Sequence, residues 1–234
     1  MITYNKTEKG VFLERPNRFI AKVLVNGNEE TVHVKNTGRC KELLVKGCTV
    51  VVSESDNPSR KTKYDLIAVY KTYDDGRSIL INMDSQVPNA VAAEWLEKGS
   101  LFSKNATIKR EVTFENSRFD IYVEDGDRRA FVEVKGVTLE NNGTALFPDA
   151  PTLRGIKHLN ELAVARSRGF EAYVLFIVQM KGVFAFKPND AMHAEFGDAL
   201  RKACEKGVKA LAVDCAVTEN SISGDLQIPV VLDA

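Results

Sequence analysis

Short apolar runs broken by polar positions dominate the first part of the chain, and their period of two predicts strands rather than helices. Phe19-Ile20-Ala21-Lys22-Val23-Leu24-Val25 leads through Asn26-Gly27-Asn28, a hairpin signal, into Glu30-Thr31-Val32-His33-Val34. Residues 48–53, 66–71 and 78–82 carry similar runs. About five short strands in roughly eighty residues predict a small β-barrel of the oligonucleotide-binding (OB) type, although an SH3-like barrel would leave the same traces. Residues 39–44 read as a short helix between strands.

After Asp84-Ser85-Gln86-Val87-Pro88 the period changes. Asn89 is placed to cap a helix over 90–98 that Gly99 ends. Strands are predicted over 108–114, 118–123 and 130–135, followed by a polar loop over 139–149 that contains Asn141-Asn142-Gly143. Pro151 opens a helix that runs to about Arg168 and stops at Gly169. Residues 173–179 are almost continuously apolar, which predicts a strand buried on both faces. Phe196, Ala199, Leu200, Ala203 and Cys204 repeat at helical spacing before a final strand near 211–214. The expected class is α/β (α+β): a barrel over 1–83, then a mixed sheet flanked by helices over 84–234.

Hydrophobic residues make up 44% of the 234, enough to fill a sizeable core. Lys+Arg and Asp+Glu balance at 32 each, so any nucleic-acid affinity must come from a local patch rather than from the whole molecule's field. Cys40, Cys48, Cys204 and Cys215 form no C-x-x-C pair, and the histidines at 33, 158 and 193 are dispersed. That pattern argues against zinc and predicts reduced thiols in a cytoplasmic protein. Residues 1–20 lack a secretory apolar region and no run is long enough to span a bilayer, so a membrane association is not expected.

The candidate chemistry lies on two neighbouring predicted strands. In Arg118-Phe119-Asp120-Ile121-Tyr122-Val123, the apolar Phe119, Ile121 and Val123 should share one face, with Asp120 on the other. In Ala130-Phe131-Val132-Glu133-Val134-Lys135, Glu133 and Lys135 should project together opposite Ala130, Val132 and Val134. A four-residue connection over 125–128 would place Asp120 directly across from Glu133, and a two-residue turn at Asp125-Gly126 would make them diagonal neighbours. Two carboxylates so close raise each other's pKa unless a cation neutralises them. Mg²⁺ or Mn²⁺ suits such oxygen ligands, and with Lys135 alongside it would activate water against a phosphodiester. A solvated strand face, with Lys135 pairing either acid, is the competing reading. Gln179, a polar residue closing the most apolar strand, suits a site at a strand end or a simple strand-end cap.

The element order, with Asp120 and Glu133-x-Lys135 on its second and third strands, resembles the core of the PD-(D/E)XK nuclease superfamily, Phe119 replacing the Pro of its name. Nearly the whole chain resembles the sugar fermentation stimulation protein A family. The residues carrying that likeness are Asn36-Thr37-Gly38-Arg39, Ser117-Arg118-Phe119-Asp120, Val132-Glu133-Val134-Lys135-Gly136-Val137-Thr138-Leu139, Phe147-Pro148-Asp149-Ala150-Pro151-Thr152, Arg154-Gly155-Ile156-Lys157-His158-Leu159 and Leu175-Phe176-Ile177-Val178-Gln179. The resemblance implies an OB-like domain joined to a nuclease-like domain, DNA as partner with little sequence preference, and a regulatory link to sugar (maltose) metabolism. It implies Asp120 and Glu133 as metal ligands, Lys135 and Gln179 as catalytic companions, and a further acid at Glu111 or, on the first helix, Glu94. Arg154 and His158, one helical turn apart, would meet phosphate near the metal, unless they form a solvated face opposite Leu153, Ile156 and Leu159. Arg118 and the turn Asn36-Thr37 are implied DNA contacts. Arg15, Arg18, Lys35, Arg39 and Lys41, with Phe12 and Phe19, would supply the barrel's basic strip, unless they are ordinary surface charge and core. The expected function is a DNA-binding protein with an Mg²⁺- or Mn²⁺-dependent phosphodiester-cleaving site. A non-catalytic DNA-binding regulator, an RNA- or nucleotide-processing enzyme and a homodimeric assembly stay open.

Overall fold

The computed structural model describes residues 1–233 apart from Thr37, Arg39, Asp56, Pro58, Ser100 and Asn116. After β1 (Ile2–Thr3), the chain builds a barrel from β2 (Thr7–Asn17), β3 (Ile20–Val25), β4 (Asn28–Val34), β5 (Thr49–Glu54) and β6 (Tyr64–Thr72). Alternation drives it: Ala21, Val23, Val25, Val32 and Val34 all point inward and are buried. Each such side chain removed from water contributes about 1.5–3 kcal/mol. The strand order β4-β3-β2-β5-β6 closes through a parallel pairing of His33 and Val34 with Asp65 and Leu66. Closure leaves no open edge in the barrel wall. A further strand, β7 (Ser78–Asn82), pairs with β6 and leads out.

The expected barrel is present, but its central strand was invisible in the pattern. β2 carries Glu8, Lys9, Glu14, Arg15 and Pro16, and only Gly10 and Phe12 are buried. Gly10 has to be glycine, because a Cβ there would lie 2.5 Å from Val23 Cγ1. The predicted helix near 39–44 is instead a single turn, in which Leu43 and Leu44 both donate to the Cys40 carbonyl. One turn does not repay the cost of helix nucleation.

The second half forms a seven-stranded sheet in the order β1-β16-β15-β13-β10-β9-β8. Besides β1, its members are β8 (Thr107–Phe114), β9 (Ser117–Asp125), β10 (Arg128–Val137), β13 (Glu171–Val178), β15 (Lys209–Thr218) and β16 (Ser221–Ile228). β10, β13 and β15 run parallel, and β13 is buried from Ala172 onward, as its apolar run requires. One face packs on α1 (Pro88–Glu97) through Val91, Trp95 and Leu96. The other packs on α2 (Leu153–Ser167) and α3 (Asp190–Glu205) through Leu159, Leu162, Phe196 and Leu200.

Three expectations change here. The predicted polar loop over 139–149 holds a hairpin, β11 (Leu139–Asn141) and β12 (Thr144–Phe147), turned by Asn142 and Gly143 at φ 48° and 79°. Two successive left-handed residues match the twist of the flanking strands. β12 pairs in parallel with β14 (Ala185–Pro188). The last strand is β16, in which Ser, Gly, Asp and Gln dilute the alternation of Ile222, Leu226 and Ile228. Asn89 does not cap α1; Val87 is the N-cap residue, with no side-chain cap. α2, by contrast, is capped by Thr152, whose Oγ1 accepts from the Gly155 amide at 3.0 Å.

The two halves are tied together. β1 pairs with β16 in the large sheet, and the segment from Asn82 to Asp84 is held against the end of β13. Lys35 of the barrel pairs with the buried Asp84 at 2.6 Å. No helix among the described residues is long and apolar enough to cross a membrane.

Candidate metal centre

The β9–β10 register pairs Arg129 with Glu124, Phe131 with Tyr122 and Val132 with Ile121, with Gly126 (φ 61°) in the turn. Continued by one step it would put Glu133 opposite Asp120. The ladder stops first. Asp120 accepts the Val134 amide through Oδ2 at 2.8 Å, so its carboxylate occupies the gap where a backbone bond would run. On the other side, the β8–β9 ladder skips the Glu111/Asp120 position, where Glu111 has φ 58°. Both ladders therefore open at Asp120.

This opening breaks the expected alternation. Ile121 and Val123 pack beneath α1 with Val132 and Val134, as predicted. Phe119 packs with the opposite cluster, its ring 5.0 Å from that of Phe131. Asp120 sits at the crossover. Its Oδ1 accepts from Asn89 Nδ2 at 2.8 Å. Burial, and then the charge of Glu133, push the Asp120 carboxyl above the usual carboxylate range.

Glu133 is 2% exposed and lies beneath α2. Its Oε1 receives Lys135 Nζ at 2.5 Å and also His158 Nδ1. Lys135 Nζ is 3.3 Å from the same ring nitrogen. Burial favours the neutral acid here, but the His158 hydrogen bond and the Lys135 charge outweigh it and hold Glu133 below its ordinary range. Oε2 is buried with no hydrogen-bond partner among the described residues. Such an atom is costly unless something occupies it.

Those donors suit a hard divalent ion. Each Asp120 oxygen accepts one hydrogen bond and keeps further acceptor capacity, and Glu133 offers a vacant oxygen. Among the described residues no three His, Cys, Asp or Glu side chains cluster as a ligand set. Two carboxylates with waters and phosphate oxygens are a sufficient set for Mg²⁺. Glu111 is exposed and bonded to Arg118 at 2.5 Å, and Glu94 is engaged by the amino terminus and Lys98.

The family models match on both sides of the seam. Residues 13–81 match the SfsA N-terminal OB domain, and residues 86–221 match the sugar fermentation stimulation protein RE domain. The chain belongs to the sugar fermentation stimulation protein (SfsA) family. A sugar fermentation stimulation protein homolog of Desulfitobacterium hafniense strain Y51 is 60% identical over 223 residues, 95% of each chain. One of Clostridium beijerinckii is 56% identical over 220 residues, covering 94% of this chain and 95% of its own. Among solved structures, Pyrococcus furiosus SfsA in complex with Ca²⁺ aligns with TM-score 0.85 and 26% identity over 98% of both chains.

Against this SfsA framework, the remaining sequence candidates separate. Gln179 is 1% exposed, and its Nε2 faces three acceptors: Asn82 O, Asn82 Oδ1 and Asp84 O. It pins the linker between the two halves. Gly136, next to Lys135, must lack a side chain, because a Cβ there would be 2.7 Å from both Gln179 Oε1 and Pro88 Cγ. Beside this contact lies a cleft of about 370 Å³, lined from the barrel by Asn36 and Gly38 and from the large domain by Gly136, Asp149 and Thr152. Arg15 donates to the carbonyls of Gly38, Arg18 and Asn36, bracing the barrel turn. Asn36 Oδ1 accepts from the Gly38 amide within that turn. Thr37 and Arg39 lie outside the described residues. Arg18 is exposed and covers the exposed ring of Phe19 at 4.7 Å, while Phe12 is core. Arg154 donates to His158 Nε2 at 3.3 Å.

Asn89 was missed as a site residue, because a helix-start signal claimed it. The Arg154/His158 spacing was visible, but not that their target is Glu133.

Proposed function

We propose that this protein binds DNA and hydrolyses its phosphodiester bonds with Mg²⁺ or Mn²⁺ at Asp120 and Glu133. The observation that carries this reading is the buried, unpartnered Oε2 of Glu133 beside a second carboxylate. The Ca²⁺ complex of the Pyrococcus furiosus relative supports a hard divalent ion in this fold. When bound, the ion supplies Lewis acidity toward a phosphate oxygen and acidifies a water.

This chain's residues do the rest. Asn89 and the Val134 amide fix the Asp120 carboxylate. Lys135, 15% exposed, is bonded through its ammonium to Glu133 and there stabilises negative charge gathering on the attacked phosphate. Arg18 stacked on Phe19 gives the barrel a cationic, aromatic surface suited to a nucleic-acid strand.

The test is a cleavage assay on single-stranded, duplex and branched DNA with Mg²⁺ or Mn²⁺. Products should form, disappear with chelator, and disappear in Asp120→Ala while DNA affinity persists. Equal cleavage by purified Asp120→Ala refutes the assignment. A second reading, a DNA-binding regulator without turnover, draws support from the acidic centre offering two carboxylates rather than three. It requires salt-dependent DNA binding with no product from any DNA form.

A further inference from the structure

A carboxylate can present either oxygen to an ion by rotating its last torsion, so a metal-binding glutamate needs something to choose the oxygen. In this chain two hydrogen bonds converge on one of them. His158 Nδ1 and Lys135 Nζ both meet Glu133 Oε1, and Oε2 is left buried and vacant. Lys135 is a flexible side chain on the same strand as Glu133. His158 stands on a separate, rigid element: α2 is capped by Thr152, and Leu159 and Leu162 anchor it in the core.

The histidine is itself held. Arg154, one turn earlier, donates from Nε to His158 Nε2 at 3.3 Å. Because Nε2 accepts, the ring proton of the neutral tautomer is on Nδ1, where it points at Glu133. The order is Arg154, His158, Glu133: a chain of donors from the helix surface inward.

We infer that His158 is a positioning residue that locks the Glu133 carboxylate so that Oε2 alone is presented to a divalent cation, with Arg154 fixing the imidazole. The inference rests on the metal-site reading above and deepens it. His158 then acts through Glu133 and needs no contact with the ion or the DNA. Partners of this kind change metal affinity by about 10–100-fold when removed.

The geometry dictates the test. In His158→Asn the side-chain nitrogen hangs from Cγ, as Nδ1 does in histidine. In His158→Gln it is one carbon further out, nearer the position of Nε2. Titration of each full-length variant with Mn²⁺ alone, followed by calorimetry without DNA, reads the difference. His158→Asn should bind within about threefold of the parent, and His158→Gln at least tenfold more weakly. Arg154→Ala should weaken binding by less than His158→Gln. The two polar replacements are near in size, so a shared folding defect would not separate them. Equal Mn²⁺ affinity in the Asn and Gln variants overturns the inference, as does a parent protein that takes up no Mn²⁺. A parent that binds Mn²⁺ yet cleaves no DNA sinks the hydrolytic reading only, and the variant titrations still decide the role of His158.

Discussion

Glu133 and Glu140 lie seven residues apart, each buried and each bonded to a lysine, yet they are different kinds of group. Glu140, fully inaccessible, receives Lys71, Tyr73 and the Gly143 amide, so both of its oxygens are satisfied. It joins the barrel strand β6 to the β11–β12 hairpin and acts as a clamp between the two halves. Glu133 concentrates its partners on one oxygen and leaves the other empty. Burial and a lysine neighbour therefore do not mark a functional acid by themselves. What separates the two is an unfilled oxygen beside a second carboxylate, since Glu161 Oε2 and Asp190 Oδ1 are also buried without a hydrogen-bond partner.

The largest effect separating the two should come from Lys71→Met. It leaves Glu140 buried without its cation and should cost about 3–5 kcal/mol in urea denaturation. If the loss is under 1 kcal/mol, the clamp is not structural and the contrast fails. Next, Mn²⁺ at one hundred times its dissociation constant should stabilise the parent and Glu140→Gln by about 2.7 kcal/mol, read as a thermal shift. Glu133→Gln should show no Mn²⁺-dependent shift. Without metal, Glu140→Gln should lose about 2 kcal/mol through its charged hydrogen bonds, whereas Glu133→Gln should lose no more than about 1 kcal/mol. A reversed order would mean that Glu133 is the structural acid.

A rim glutamate sets the scale for the smallest effect. Glu171 is held at about 2, against an ordinary 4.5, chiefly by the Arg128 hydrogen bond and also by Tyr173. Its folded pKa is depressed, so its stabilisation is complete above pH 4.5 and fades as the pH falls toward 2. At a solvent-screened rim it is worth about 1 kcal/mol. Glu171→Gln should therefore cost about that much at neutral pH, and progressively less in denaturation series below pH 4.

Much of the architecture was legible because hydrophobic periodicity survives wherever one face of an element is buried. β3, β4, β10, β13, α2 and the inward face of α3 all kept that signal. β2 and β16 did not, since charged and small residues interrupt their apolar positions although each pairs with a neighbouring strand through a tight hairpin. The hairpin over β11 and β12 was hidden for another reason: Asn142-Gly143 was visible as a turn, but its flanking runs of three and four residues are too short to announce strands.

At the candidate site, sequence alone determined which groups are available. Alternation put Glu133 and Lys135 on one face but left two hairpin registers open for Asp120, and the structure adopts the one that pairs Arg129 with Glu124 and Phe131 with Tyr122. Only tertiary structure decided how those groups are used. Asp120 left the face to bond the Val134 amide, α1 supplied Asn89, and α2 brought His158 onto one oxygen of Glu133. A carboxylate's vacancy depends on what every packed neighbour does with its donors, and those neighbours come from distant parts of the chain. Periodicity reports which way a side chain points, but it carries no information about which hydrogen bonds remain unmade.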